Sequence, residues 1–323
     1  MHGHMNQQAI QPPDKIRSIF FYRLVNRLTL EGVMYKSKKK IIFTFLFPSL
    51  LGLLVFKVGA MLYSLYISFT DWNLFGAPEF VGFKNYITIF QDARFYEALK
   101  NTLLFIVGYL PMVVVISMVI ALLLNSKVKH VNMFRGLFFL PVITSWVAVS
   151  MIWKGLLNPE FGVINSIING LGGTGPAWLQ NPSFVIPAVV MVSVWKDVGF
   201  LSIIFLGGLQ GISQEYYEAA QIDSANKWQQ FWRITLPLLS PTTFYALIIT
   251  IINSFQVFDQ IWIMTSGEPT ADLVPVMVTE IYRNSFQYQK MGYATALSWI
   301  LFGIIIIVTI FQNVMQKKWV HYE

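Results

Sequence analysis

Cysteine is absent and charge is scarce. With no thiol in 323 residues, the chain can hold no disulfide framework, no thiolate metal site and no cysteine nucleophile; the compartment is left open. Only 12% of its residues are charged, against about 25% in soluble domains. Histidine is equally thin. His2 and His4 lie at the extreme N-terminus, in a stretch too short to be a metal-binding tag, and His130 and His321 flank apolar segments. No histidine cluster therefore falls within an apolar segment, which counts against a membrane enzyme. The pattern G-x-x-x-x-G-K-[ST] does not occur, so the chain cannot cradle a nucleotide in that way; GLGGTGP at 170–176 is glycine-rich but lacks the lysine. What remains is 55% hydrophobic and 16% aromatic, with mean hydropathy +0.56. A chain this apolar either lives in a membrane or aggregates. The net charge of +7 does not point to nucleic acid, because the bases cluster beside apolar segments, as membrane topology requires.

A spanning helix takes about 20 mostly apolar residues. Six segments qualify: 41–70, 98–124, 136–156, 184–209, 241–265 and 292–316. The first is long enough to tilt or to project beyond the bilayer. Lys and Arg set the orientation. Lys15, Arg17, Arg23, Arg27, Lys36, Lys38, Lys39 and Lys40 precede the first segment. Lys127, Lys129 and Arg135 lie between the second and third, and Lys317 and Lys318 follow the last. In 71–97, Lys84 and Arg94 face Asp71, Glu79, Asp92 and Glu97, while 157–183 carries no base. Both termini and 210–240 are thus expected in the cytoplasm. The first forty residues are too polar and basic, and the first apolar segment too long, for a secretory signal. Residues 14–36 read equally as an interfacial helix or as a mobile basic tail.

Residues 213–241 form a polar, aromatic-rich stretch between two apolar ones. Ser213 suits the cap of a helix whose start carries Glu215 and Glu218. Asp223 suits the cap of a second, on which Trp228, Phe231 and Trp232 share a face. Pro237 and Pro241 end the element and begin the next segment. The sequence EAAQIDSANKWQQFWRITLPLLSP (218–241) resembles the "EAA" loop of bacterial ABC import permeases, E-A-A-x-x-D-G-A followed by a spacer, I-x-L-P and a further Pro. Glu218, Ala219, Ala220, Asp223, Ala225, Phe231, Ile234, Leu236, Pro237 and Pro241 fall on that pattern. Ser224 stands where the family usually has Gly, so the turn is expected either to be strained, by about 1 kcal/mol, or to take another form. FQVFDQIWIMTSGEP (255–269) and IYRNSFQYQKMGYATALS (281–298) are similar to signatures of the carbohydrate-uptake subgroup of maltose and glycerol-phosphate type, with Glu268 replacing its second Gly.

The resemblance implies an all-α integral membrane protein of six transmembrane helices with a cytoplasmic coupling loop. A basic segment (1–40) and a first helix with its outer loop (41–97) precede a transport core (98–316, coupling loop 213–240), and a tail follows (317–323). It implies a second homologous permease subunit, two ATPase subunits that bind ATP and magnesium, an extracytoplasmic solute-binding protein, surrounding lipid, and alternating access in a bacterial inner membrane. Coupling to the ATPase would rest on Glu218, Ala219, Ala220, Asp223, Ser224, Phe231 and Pro237. No cofactor and no catalytic residue belong to this chain on that reading.

Charged and polar groups within spans are functional hypotheses by default. Lys196 and Asp197 are adjacent, point about 100° apart on a helix and cannot share a face. Asp259 lies near Asn253, Ser254 and Gln256, and Trp195, Phe200, Phe255 and Trp262 supply aromatic faces. Rings with a few oriented polar groups suit a sugar. Alignment on Trp195 and Thr265–Gly267 carries the family's sugar contacts to Ser193, Lys196, Asp197, Phe200, Thr250, Ser254 and Val257. A lysine at 196 suits an acidic or phosphorylated saccharide; otherwise Lys196 and Asp197 bond to the partner subunit and hold the bundle. Lys57 lies mid-span and Lys154 near the outer end of its span, where it can snorkel. Competing readings are a permease for polyamine, phosphate or amino acid, a membrane enzyme acting on lipid-linked sugar, and a structural partner of another channel.

Overall fold

The computed structural model describes residues 41–126, 131–268 and 270–320; the basic segment before residue 41 lies outside them. The chain divides into two compact units, 1–64 and 65–323. In the first, the described part is the beginning of helix α1 (Ile41–Ser68). Lys57 sits in a π-helical stretch, Leu54–Gly59, at mid-helix. Phe45, Phe56, Leu54 and Leu62 are all exposed and point to different sides of the helix, so the stretch is apolar around its circumference, the composition of a membrane-spanning helix.

The second unit is helical apart from one hairpin. The hairpin, β1 (Thr70–Asp71) and β2 (Glu79–Phe80), pairs antiparallel with Thr70 opposite Phe80. Then follow α2 (Lys84–Gln91), α3 (Ala93–Asn125), α4 (Val131–Ile143), α5 (Trp146–Leu156), α6 (Val163–Gly170), α7 (Pro182–Gly211), α8 (Gln214–Ile222), α9 (Lys227–Leu238), α10 (Ser240–Phe255), α11 (Asp259–Thr265), α12 (Met277–Tyr282) and α13 (Met291–Trp319). Among the described residues, α1, α3, α7 and α13 are long and apolar enough to cross a membrane unbroken, and the number of spans rises to six if each of two bent pairs is counted as one span.

Both bent pairs depart from the expected straight segments. The third span breaks by 97° between α4 and α5. Pro141 near the end of α4 removes a backbone donor and crowds the preceding turn. Ser145 then caps α5, accepting from the Val147 N–H. The fifth, expected over 241–265, ends at Phe255, and α11 is a separate helix after residues 256–258. Neither glycine nor proline marks that break. At its other end α10 meets α9 at 63°. Just upstream of Pro237 the backbone widens into a π turn, Phe231–Thr235, which accommodates the proline ring and its missing donor.

The core is the pairing of α3 with α7. Val113, Val185, Val189 and Phe205 are fully buried in it, and Gly108 leaves room for Val190, one of whose methyl carbons would lie only 3.3 Å from a Cβ added there. Gly199 is held more tightly still. A Cβ there would lie 1.9 Å from the Phe138 carbonyl oxygen, so only glycine allows α4 to lie against α7. A second cluster joins α2, α3, α10, α12 and α13 around Phe95, Ala98, Met277 and Leu297. It carries a charge network that sequence reading did not anticipate. Glu280, 4% exposed, accepts from Arg94 at 3.1 Å and from Arg283 at 3.4 Å, and Arg283 also pairs with Asp272 at 3.0 Å. A buried carboxylate is tolerable here because cations satisfy it. Lys154, part-exposed near the end of α5, has protein partners as well. It pairs with Glu268 at 3.5 Å and donates to the Ser266 carbonyl, so the glutamate that departs from the subgroup pattern is the partner of a span lysine.

Candidate functional site

A cavity of about 400 Å3 opens among α3, α7, α10 and α11, with the α4–α5 break on one side. On α7, Asp197, Phe200 and Leu201 line it, the i, i+3, i+4 spacing of one helix face. On α10 the lining is Ile249, Thr250, Asn253 and Ser254. Residues 256–260 close one side with Gln256, Val257, Phe258, Asp259 and Gln260. Because α10 stops at Phe255, the chain turns across the cavity instead of running past it, and its polar groups are presented from a short irregular link.

The periodicity of α7 explains the fate of the expected pathway residues. Asp197, Phe200, Thr250, Asn253, Ser254, Gln256, Val257 and Asp259 line the cavity; Ser193, Trp195 and Lys196 do not. Ser193 is one turn below Asp197 and almost fully buried, with its Oγ unpartnered among the described residues. Trp195 projects to another face, where it meets Trp153 edge-on with ring centroids 5.4 Å apart. Phe255 is buried in the second cluster, and Trp262 stacks on Phe258 at 5.8 Å.

Lys196 and Asp197 are separated as helical geometry requires, and only one faces the cavity. The Asp197 carboxylate accepts a 2.7 Å hydrogen bond from the Tyr109 hydroxyl, and Tyr109 is itself stacked on Phe105 at 5.2 Å. Lys196, 5% exposed, turns to the break in the third span. Its Nζ donates to the Val142 carbonyl at 3.2 Å and lies 4.7 Å from the centroid of the Trp146 ring. The last carbonyls of α4 have no helical partners, and a cation at that negative end is favourable. The lysine therefore holds the break rather than facing the cavity.

Tyr109, Phe105, Val142, Trp146 and Gln260 also line the cavity and were missed. Phe105 and Tyr109 stand one turn apart on α3, a spacing visible in the sequence, but nothing local says which face of that apolar helix meets α7. Trp146 reaches the cavity only because the span breaks.

The stretch 213–240 folds by local rules. Ser213 caps α8 by accepting from Glu215 at 3.4 Å. Asp223 does not cap α9; it is the C-terminal cap of α8. Ser224 follows at φ +59°, and two bonds close the end: Ser224 N–H to Gln221 O at 3.0 Å and Ala225 N–H to Ala220 O at 2.9 Å. This is a Schellman closure, which demands a left-handed residue and explains why glycine is favoured there. Of the two expectations for Ser224, the strained one holds. The cap of α9 is Asn226, which exchanges two 2.9 Å bonds with Gln229. Tyr217 and Thr235 share a 3.0 Å hydroxyl bond that fastens α8 to α9. Glu218 and Ala219 are exposed on α8, and Trp228, packed edge-on to Trp232 at 5.7 Å, is 70% exposed. An acid, small side chains and bare rings on two cross-tied helices make a surface that another protein can cover. Phe231 and Pro237 lie inward of it, half-buried.

Among the described residues no group of histidines and acids is arranged to hold a metal ion.

Similar proteins agree with this architecture. The probable ABC transporter permease protein YesP of Bacillus subtilis (strain 168) is 34% identical over 285 residues, covering 87% of this chain and 92% of the relative. The arabinooligosaccharides transport system permease protein AraP of the same organism is 33% identical over 279 residues, 86% of this chain and 88% of the relative. Among solved structures, a bacterial ABC transporter involved in the import of the acidic polysaccharide alginate matches with TM-score 0.78 at 27% identity, covering 88% of this chain and 98% of that one. The alginate transporter in complex with alginate pentasaccharide-bound periplasmic protein matches with TM-score 0.77 at 26% identity, covering 87% and 96%. Residues 94–321 match the family of binding-protein-dependent transport system inner membrane components, and the chain belongs to that family.

Proposed function

We propose that this chain forms half of the translocation pathway of an ATP-driven saccharide importer. The observation that carries the reading is the cavity itself. Phe105, Tyr109, Trp146, Phe200 and Phe258 supply rings, and Thr250, Asn253, Ser254, Gln256 and Gln260 supply donors and acceptors around them. Flat apolar faces with a few oriented polar groups are what a sugar ring needs. The arabinooligosaccharide and alginate systems among the similar proteins support the same class.

The partners follow from the surfaces. The exposed face of α8 and α9, with Glu218, Ala219 and Trp228, is the seat for an ATPase subunit that binds ATP and magnesium. A second, homologous permease completes the pathway, and an extracytoplasmic binding protein delivers the solute. The lysine- and arginine-rich loops support a cytoplasmic location for both termini and residues 213–240. Closure of the ATPases then moves the α8–α9 element as a unit, because the Tyr217–Thr235 bond couples its two helices. That motion passes through the 63° junction into α10, which lines the cavity. Alternating access is transmitted along this one continuous path.

The test is ATP hydrolysis by the complete complex in lipid, with partner permease, ATPase and binding protein, against a panel of oligosaccharides. Saccharide-stimulated hydrolysis is expected. Stimulation by a polyamine or an amino acid, and by no saccharide, overturns the reading.

A further inference from the structure

The charge of the cavity wall narrows the substrate class, on the assumption that the cavity is a saccharide site. Among the described residues that line it, the charged ones are Asp197 and Asp259, and no lysine or arginine joins them. Asp259 is exposed, at the start of α11. Asp197 is held in place by Tyr109 at 2.7 Å. The cation nearest in sequence, Lys196, is turned behind the wall and occupied by the Val142 carbonyl and the Trp146 ring. Counted together, these three groups still leave two carboxylates against one ammonium.

We infer that this cavity selects saccharides without acidic groups, and that Asp197 and Asp259 are the residues that exclude uronates and sugar phosphates. A carboxylate is a good acceptor for sugar hydroxyls and for an amino group. Against another anion, at a separation of about 6 Å and an effective dielectric near 20, it costs roughly tenfold to a hundredfold in affinity. The similar importer of acidic alginate therefore marks the shared fold, and the acid pair marks a different cargo.

The absence of cysteine gives a direct readout. Asn253→Cys, or Gln256→Cys as a second reporter, places the chain's one thiol on the cavity wall of the assembled complex. Protection from a maleimide is then measured with maltotetraose, a glucosamine tetramer and a galacturonate tetramer. The neutral and amine-bearing oligomers are expected to protect at concentrations at least about tenfold below the uronate. Asp197→Asn, which keeps an acceptor for Tyr109, and Asp259→Asn are each expected to narrow that gap, and together to close most of it. Protection by the uronate at the lowest concentration, or a gap that neither amide variant changes, overturns the inference. No protection of either reporter by any saccharide overturns instead the saccharide reading on which it rests.

Discussion

The cavity and the α8–α9 element are built by opposite means. The α8–α9 element is exposed, and each of its turns is closed by residues within five positions of one another: Ser213 with Glu215, Ala220 with Ala225, Asn226 with Gln229. The cavity is assembled from four helices and the break in a third span, and its key contacts, Tyr109–Asp197 and Lys196–Val142, join residues 88 and 54 positions apart. On the proposed function the difference has a use: local closure lets a docking element move as one rigid piece, and long-range contacts let the walls of a pathway be remodelled by moving whole helices.

The sharpest way to break the long-range side is Gly199→Leu. Its Cβ would meet the Phe138 carbonyl 1.9 Å away, and overpacking of this kind costs about 3 kcal/mol or more. The variant is expected to lose assembled complex in detergent, with a marked fall in melting temperature. A variant as stable as the parent would show that α4 does not lie against α7 as described.

Glu218→Lys attacks the other side and separates folding from coupling. Glu218 is exposed and makes no ion pair among the described residues, so membrane insertion and melting temperature are expected to hold, while transport falls at least about tenfold as charge reversal at a docking surface costs several kcal/mol. Normal transport would remove α8 from the coupling role.

Lys196→Met tests which region the lysine serves. A cation facing substrate would give a loss confined to anionic saccharides. Here the expected effect is a loss of about 1–2 kcal/mol of stability, from the ring contact and the α4 end together, with transport of neutral and acidic saccharides reduced by the same factor.

The same division explains what the sequence disclosed. The spans were legible because twenty apolar residues admit few other fates, and the α8–α9 element because its caps and aromatic spacing are local. Even there Asp223 misled: Asp and Asn cap equally well, and three residues of turn decided for Asn226. The α4–α5 break had a local cause in Pro141, whereas the break after Phe255 had none, and so Asp259 looked like a residue within a span. The inward face of α7 could be narrowed to Lys196 or Asp197 by helical geometry. Only the approach of α4, permitted by Gly199, settled which.

Ser224→Gly asks how much of the local closure is strain. Ser224 holds φ +59° in order to deliver its own amide to Gln221 and that of Ala225 to Ala220, and for a residue with a Cβ that conformation costs about 1 kcal/mol. Glycine relieves the strain but gains freedom when the turn opens, which returns part of the benefit. The net expectation is a stabilisation of a few tenths to about 1 kcal/mol, confined to the end of α8. Global melting of a helical protein of 323 residues is a poor reporter of so small and local a change. Hydrogen exchange at the Ala225 amide is a good one, because that proton is released when the turn opens, and its exchange is expected to slow by up to about fivefold. Faster exchange would mean that the serine is held by more than the turn, and that the position tolerates its departure from glycine through contacts beyond the closure itself.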